Sequence, residues 1–233
     1  MLIASISDLE PFSNDLKPLK EMLQRIRRPD LILFAGDLYD YKKPENYKKI
    51  VSLLEENRFD CPVFAVFGNR EFPQDEGEIK NYAGKTIKFL DDESIILKIE
   101  NKTIGIVGSR GCLDRPTFWQ LKNIPKAYQF YKDRFHKLAD LLKKLKTDVK
   151  ILLTHYAPSY RTMEGEYPRI YPVLGSVYLE RVLIDTKTTL AIHGHAESGI
   201  PLAFVDSVPV FNVAYRVNRK ITEIDIDNLP KSL

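Results

Sequence analysis

Cysteine, tryptophan and methionine are scarce in this 233-residue chain, at 2, 1 and 3 copies. Cys61 and Cys112 stand far apart and outside any Cys-x-x-Cys spacing, which excludes a disulfide framework or a zinc knuckle and leaves two ordinary buried thiols. Long hydrophobic runs are missing as well. The apolar opening at residues 1–6 gives way to Asp8, too early for a signal peptide or a spanning helix, so a soluble cytoplasmic protein without a membrane partner is expected. No charge of one sign dominates: 35 basic against 32 acidic residues leave +3, too even to indicate nucleic acid as a partner. A local basic face is confined to residues 122–150. No Pro/Gly/Ser-rich linker, internal repeat or low-complexity stretch divides the chain, so residues 1–233 read as a single domain able to bury a sizeable core. Gln is also scarce beside plentiful Lys, Glu, Ile and Tyr, a composition that leans toward a thermophile.

What the sequence does contain is five short polar clusters, each closing an apolar run. They are Ser7-Asp8-Leu9-Glu10, Gly36-Asp37, Gly68-Asn69-Arg70-Glu71, Thr154-His155 and His193-Gly194-His195-Ala196-Glu197. The runs before them, at residues 2–6, 31–35, 63–67, 150–153 and 189–192, predict short buried strands. The clusters then emerge at strand carboxyl ends, where open α/β sheets place their chemistry. Between the first three runs, residues 16–26 and 44–54 carry apolar side chains at helical spacing, the first with Asn14 or Asp15 as N-cap. The pattern predicts β-α-β-α-β with parallel strands and right-handed crossovers. Residues 79–107 shorten to strand-like runs with Asn101-Lys102 as a hairpin turn, and this section reads as antiparallel. A long amphipathic helix is predicted at 128–146 and a further helix at 175–183. The final runs, through residue 226, read as an antiparallel ending.

The order and content of the clusters resemble the calcineurin-like metallophosphoesterase family, with its Asp-x-His, Gly-Asp, Gly-Asn-His-Asp/Glu, lone His and Gly-His-x-His signatures. The resemblance implies a four-layer α-β-β-α sandwich, two mixed sheets flanked by helices, and a dinuclear metal site hydrolysing phosphoesters. Glu10, Arg70 and Glu197 occupy positions where the family carries histidines. Carried over by position, one metal is expected on Asp37, Asn69, His155 and His195, and the other on Asp8, Glu10, Asp37 and Glu197, with Asp37 bridging. The oxygen-rich set suits Mn or Mg, while Fe or Zn is admissible at the Asn69/His155/His195 site. A shifted register would instead use both His193 and His195.

Four carboxylates against two divalent cations leave a net charge of about zero, so attraction for phosphate must come from elsewhere. Arg70 supplies a guanidinium fork beside the expected phosphate. It cannot replace a histidine as proton donor, because it keeps its proton throughout. The expected chemistry is in-line attack by a metal-bridging hydroxide on a small phosphomonoester or phosphodiester, nucleotide-like substrates included, with Asp37, Asn69 and Arg70 at the reacting centre. The alternative is a non-hydrolytic phosphate or nucleotide binder in which Arg70 pairs with Glu10 and Glu197. Asp40 and Glu71 are candidates to orient ligands. Arg110 and Arg161, in the long loops expected to rim the cleft, are candidate substrate contacts, and the aromatic residues of those loops permit a homo-oligomer.

Overall fold

Alternation along short apolar strands builds the centre of the molecule. The computed structural model describes residues 1–9, 15–39 and 43–232. In β1 (Leu2–Ile6), β2 (Leu31–Phe34) and β3 (Val63–Ala65) successive side chains point to opposite faces, and both faces are buried. Ile3, Leu31, Leu33 and Phe64 enter a core between two sheets, while Ala4, Ile32, Phe34 and Ala65 enter a second core beneath helices. That double burial is why these strands read as continuous apolar runs.

Helices α1 (Lys17–Arg25), α2 (Asn46–Asn57) and α3 (Glu76–Ala83) bring Leu19, Leu23, Tyr47, Ile50, Leu54 and Ile79 onto the outer face of this sheet. Each fully buried Leu or Ile contributes roughly 1.5–3 kcal/mol to that packing. The sheet is completed by β4 (Lys88–Phe89), parallel to β3, and by β11 (Thr222–Asp225), antiparallel to β1, in the order β11-β1-β2-β3-β4.

The second sheet runs β5-β6-β7-β8-β10-β9, from β5 (Glu93–Ile99), β6 (Lys102–Ser109), β7 (Val149–Thr154), β8 (Leu190–His193), β9 (Leu202–Val205) and β10 (Val208–Asn212). Its inner face gives Ile106, Ile151, Leu153 and Ile192 to the shared core. Two short helices, α4 (Phe118–Asn123) and α6 (Tyr171–Leu174), lie in the long connections that follow β6 and β7. The outer face of the sheet, with Val107, Leu152, Ala191 and Val210, is covered by α5 (Ala127–Lys144) and α7 (Tyr178–Asp185) through Leu138, Leu142, Leu179 and Leu183. Two mixed sheets flanked by helices, the expected sandwich, result. No helix among the described residues is long and apolar enough to cross a membrane.

Several local expectations are corrected. α1 begins after Leu16 rather than at a side-chain cap; Asp15 Oδ1 accepts from Lys17 N at 2.8 Å, and Asn14 lies outside the described residues. The hairpin turns one residue early, with Glu100 at φ 52° and Lys102 already in β6, paired with Ile99. β4 is parallel, not antiparallel, because α3 intervenes and returns the chain in the same direction. α3 buries only Ile79 and Ala83, too thin a stripe to register in sequence. α4 was hidden for a related reason: Phe118, Trp119 and Leu121 are exposed, so no apolar face closes. At the carboxyl end β9 and β10 pair antiparallel with each other, but β10 lies parallel to β8, and β11 crosses to the other sheet to pair antiparallel with β1.

Candidate functional site

Parallel pairing brings the clusters to one rim. β1, β2 and β3 run parallel, as do β7 and β8, so Asp8, Asp37, Asn69, His155 and His195 all follow strand carboxyl ends. Asp8, Asp37 and His195 adopt left-handed backbone, at φ 58°, 52° and 68°. Such conformations cluster at functional sites, where the surrounding structure holds them. Close packing leaves no room for side chains between these turns. A Cβ on Gly68 would meet Asp37 Oδ1 at 2.0 Å, and one on Gly194 would meet Asp8 Oδ2 at 2.5 Å.

Asp8, Asp37 and His155 each offer a ligand atom, and these atoms all lie within 4.8 Å of one another with their side chains buried. His155 Nδ1 donates to the Ala35 carbonyl at 2.9 Å, which aims Nε2 at Asn69 Oδ1, 2.8 Å away, and at Asp37 Oδ2, 3.4 Å away. A backbone partner on one ring nitrogen is the usual device for presenting the other to a metal. The His195 ring centre lies 4.8 Å from that of His155. Asp8 Oδ2 accepts from His195 N at 2.9 Å and from Ser7 Oγ at 2.5 Å. Glu71, fully buried, accepts from Gly68 N at 2.6 Å, Asp37 N at 3.1 Å, Leu38 N at 3.0 Å and Tyr47 Oη at 2.5 Å, and so fixes the two turns that carry Asp37 and Asn69.

The electrostatics are those of anionic groups held close and buried. Burial and the nearby Asp37 charge push the Asp8 carboxyl up to about 7, against the pull of His155. Burial acts on Asp37 in the same direction, but His155 outweighs it and holds Asp37 below the usual carboxylate range. Burial opposes charge on His155, yet Asp37 and Asp8 raise it to about 9. Burial together with His155 lowers His195 to about 3 and keeps it neutral. Carboxylates that must share a positive charge mark a place suited to a cation.

The remaining sequence candidates divide. Arg70 N donates to Asp37 Oδ1 at 2.9 Å, and its Nε lies 3.9 Å from Asp37 Oδ2. Arg110 turns inward: its guanidinium donates to the carbonyls of Gly68 and Glu71 and pairs with Glu76 at 2.7 Å, so it clamps the Asn69 loop. Arg161 is exposed and sits 3.7 Å from Glu180. Glu197 does not join the cluster of Asp8, Asp37 and His155; its Oε2 lies 2.6 Å from Arg216 Nε, a close ion pair rather than an aligned hydrogen bond. Glu197 is thus held by Arg216 where pairing with Arg70 was the alternative expectation. His193 is buried with Nε2 2.8 Å from Thr162 Oγ1 and Nδ1 2.7 Å from the Gly194 carbonyl, both ring nitrogens engaged. Glu10 and Asp40 lie outside the described residues.

Sequence reasoning did not single out Arg216 or the Ala35 carbonyl. Arg216 sits on α8 (Tyr215–Asn218), which docks beside Ser7 through Tyr215 N, and nothing in its neighbourhood in sequence signals the distant Glu197. The Ala35 carbonyl carries no sequence signal at all.

Two carboxylates, a carboxamide and two imidazoles at one rim suit divalent cations with oxygen and nitrogen ligands. Comparison with known proteins agrees. Among solved structures, the phosphopantetheinyl hydrolase PptH from Mycobacterium tuberculosis superposes with a TM-score of 0.72 at 16% identity, covering 98% of each chain. The protein TT1561 of Thermus thermophilus gives a TM-score of 0.64 at 14% identity, covering 97% of this chain and 94% of its own. A Staphylococcus aureus protein assigned as a 5'-nucleotidase gives 0.62 at 15% identity, covering 91% of this chain and 48% of its own. At these identities the likeness establishes the fold. No curated protein matches the sequence. The calcineurin-like phosphoesterase model matches residues 1–196, so the chain belongs to the calcineurin-like phosphoesterase family and, with it, to the phosphoric ester hydrolases.

Proposed function

We propose that this protein hydrolyses a small phosphomonoester or phosphodiester at a dinuclear centre of Mn or Mg. The carrying observation is the convergence of Asp8, Asp37 and His155 within 4.8 Å, from three strand ends on two sheets. Asp37, Asn69, His155 and His195 would hold one ion, and Asp8, Glu10, Asp37 and Glu197 the other. Bound divalent ions supply Lewis acidity toward a phosphoryl oxygen and a nucleophile from water at neutral pH. The chain's own residues orient these groups. The Asn69 carboxamide is fixed against His155 at 2.8 Å, and Glu71 holds the turns on either side. Arg70, whose side chain is 41% exposed and whose Nε lies 3.9 Å from Asp37 Oδ2, would stabilise transition-state charge on the phosphoryl oxygens. Because an arginine remains protonated, the leaving oxygen must depart on its own acidity or take a proton from water. Esters of acidic alcohols are therefore the favoured substrates, and esters of ordinary alcohols should lag by roughly 10² to 10⁴. The free state of Cys61 and Cys112 supports a reducing, cytoplasmic setting.

The test is turnover of bis-p-nitrophenyl phosphate and p-nitrophenyl phosphate by the Mn-reloaded protein, with Asp37→Asn as control. We expect Asp37→Asn to lose metal and at least about 100-fold in turnover. Full activity in that variant would overturn the assignment. A single-ion version is favoured by the Glu197 to Arg216 contact, because that contact already engages one of the two Glu197 carboxylate oxygens. Metal analysis of the loaded protein separates two ions per chain from one.

A further inference from the structure

A cleft of about 360 Å³ opens directly beside the metal centre, with Asn69 and His195 in its wall. Its remaining wall includes five aromatic side chains, Phe72, Trp119, Phe130, Tyr131 and Tyr156, backed by Ile124. Three long polar side chains that line it are engaged within the protein, while Glu76, Asp91 and Thr117 also reach it. Arg110 is held by Gly68, Glu71 and Glu76; Arg134 by Asp92 at 3.0 Å; and the Gln120 amide by Tyr156 Oη at 3.1 Å. A ligand entering here therefore meets ring faces and edges beside a few polar groups. Phe72 and Trp119 lie with centroids 5.7 Å apart and planes inclined by 45°, and Trp119 and Phe130 remain 50% and 37% exposed. Large half-open rings beside a reactive centre are apolar surface awaiting a partner.

The helix bearing Trp119 is fixed in place. Thr117 caps α4 through a reciprocal box in which Gln120 N donates to Thr117 Oγ1 at 3.3 Å and Thr117 N donates to Gln120 Oε1 at 2.7 Å. The same Gln120 reaches Tyr156, next in sequence to His155. The aromatic wall is thereby tied to the metal centre by side chains of fixed geometry.

We infer that this cleft receives a planar aromatic ring carried by the alcohol part of the phosphoester, an aryl or nucleobase group, with Trp119 and Phe130 as its contacts. This rests on the function proposed above and narrows its substrate class. Aromatic walls outnumber aliphatic ones, so a flat ring gains edge and face contacts that a saturated group of equal bulk does not.

Trp119 is the sole tryptophan, so its emission reports occupancy of this cleft. Phenylphosphonate and cyclohexylphosphonate, whose carbon–phosphorus bonds resist hydrolysis, are titrated against the Mn-loaded protein; a second arm compares AMP with ribose 5-phosphate by KM. We expect the ring-bearing member of at least one pair to bind about tenfold more tightly and to shift Trp119 emission, the size that one or two aromatic pairs contribute. Preference in the phosphonate arm identifies an aryl group, and preference confined to AMP identifies a nucleobase. Phe130→Leu, which keeps apolar bulk, should bring the preference close to unity, and Trp119→Leu should do the same by KM. Equal affinity within both pairs would overturn the inference even if turnover is robust. Ring preference without turnover would instead leave it standing and remove the hydrolytic reading.

Discussion

Arg216 changes how the charge of the site is balanced. By position in the sequence Glu197 is expected to join Asp8 and Asp37 as a ligand, yet its carboxylate rests on Arg216 at 2.6 Å. Arg216 is 57% exposed while the contacting Glu197 oxygen is buried, so the pair anchors Glu197 more than it stabilises the fold. Its effect is on the ligand. Arg216→Ala should free Glu197 and tighten Mn at the weaker site by about tenfold, the lower end of what orienting partners do to metal affinity. Titration of the metal-free variant by calorimetry checks this. Unchanged affinity would mean that Glu197 is no ligand. At the same scale Glu71, Ser7 and the Ala35 carbonyl show that ligands are presented by neighbours: a carboxylate at a strand end is a metal ligand only when backbone and side-chain donors hold its oxygens in place.

Among the elements, α4 is six residues long, exposes three large apolar side chains, and depends on the Thr117 and Gln120 box for its start. Thr117→Ala should cost about 1 kcal/mol locally. Because α4 carries Trp119 and leaves the cores untouched, that loss is expected as broadened Trp119 emission and faster amide exchange in residues 118–123, with little change in Tm. A large fall in Tm would show that α4 is coupled to the whole fold. The predicted central strands β1, β2, β3 and β8 are found because both of their faces are buried and the apolar runs say so. The elements that escaped prediction, α3 and α4, bury too little to impose a period on the sequence.

For the molecule as a whole, metal and pH are linked through the buried ligands. The folded His155 value of about 9 lies above its ordinary 6.5, so its stabilising contribution is complete below 6.5 and is lost as pH rises through 9. Asp8, at about 7 against an ordinary 3.8, acts in the same sense, with its contribution lost as pH rises from 3.8 through 7. In chelator, the Tm should therefore fall between pH 6.5 and 9, whereas Mn should raise it and flatten that slope by taking the place of the protons. Loading near pH 7 should release protons, measured by calorimetry in two buffers of different ionisation enthalpy. A Tm independent of both Mn and pH in this window would contradict a cation site at Asp8, Asp37 and His155.

Local sequence suffices for the layers and for the chemical types at the rim. Buried strands must be apolar on both faces, and residues of one strand end are adjacent in the chain, so Asp8, Asp37, Asn69, His155 and His195 are assigned to strand carboxyl ends from the pattern alone. Which of these side chains meet, and what holds them, is settled by packing in three dimensions. His193 and His195 are two residues apart and alike in type, yet one is closed off by Thr162 and Gly194 while the other lies near the His155 ring. Glu197 finds Arg216 across β9 and β10, and Gln120 finds Tyr156 across α5 and β7. Such contacts depend on side-chain direction and on the docking of α4 and α8, which local periodicity does not encode, because these short elements are positioned by the packed sheets beneath them rather than by their own propensity.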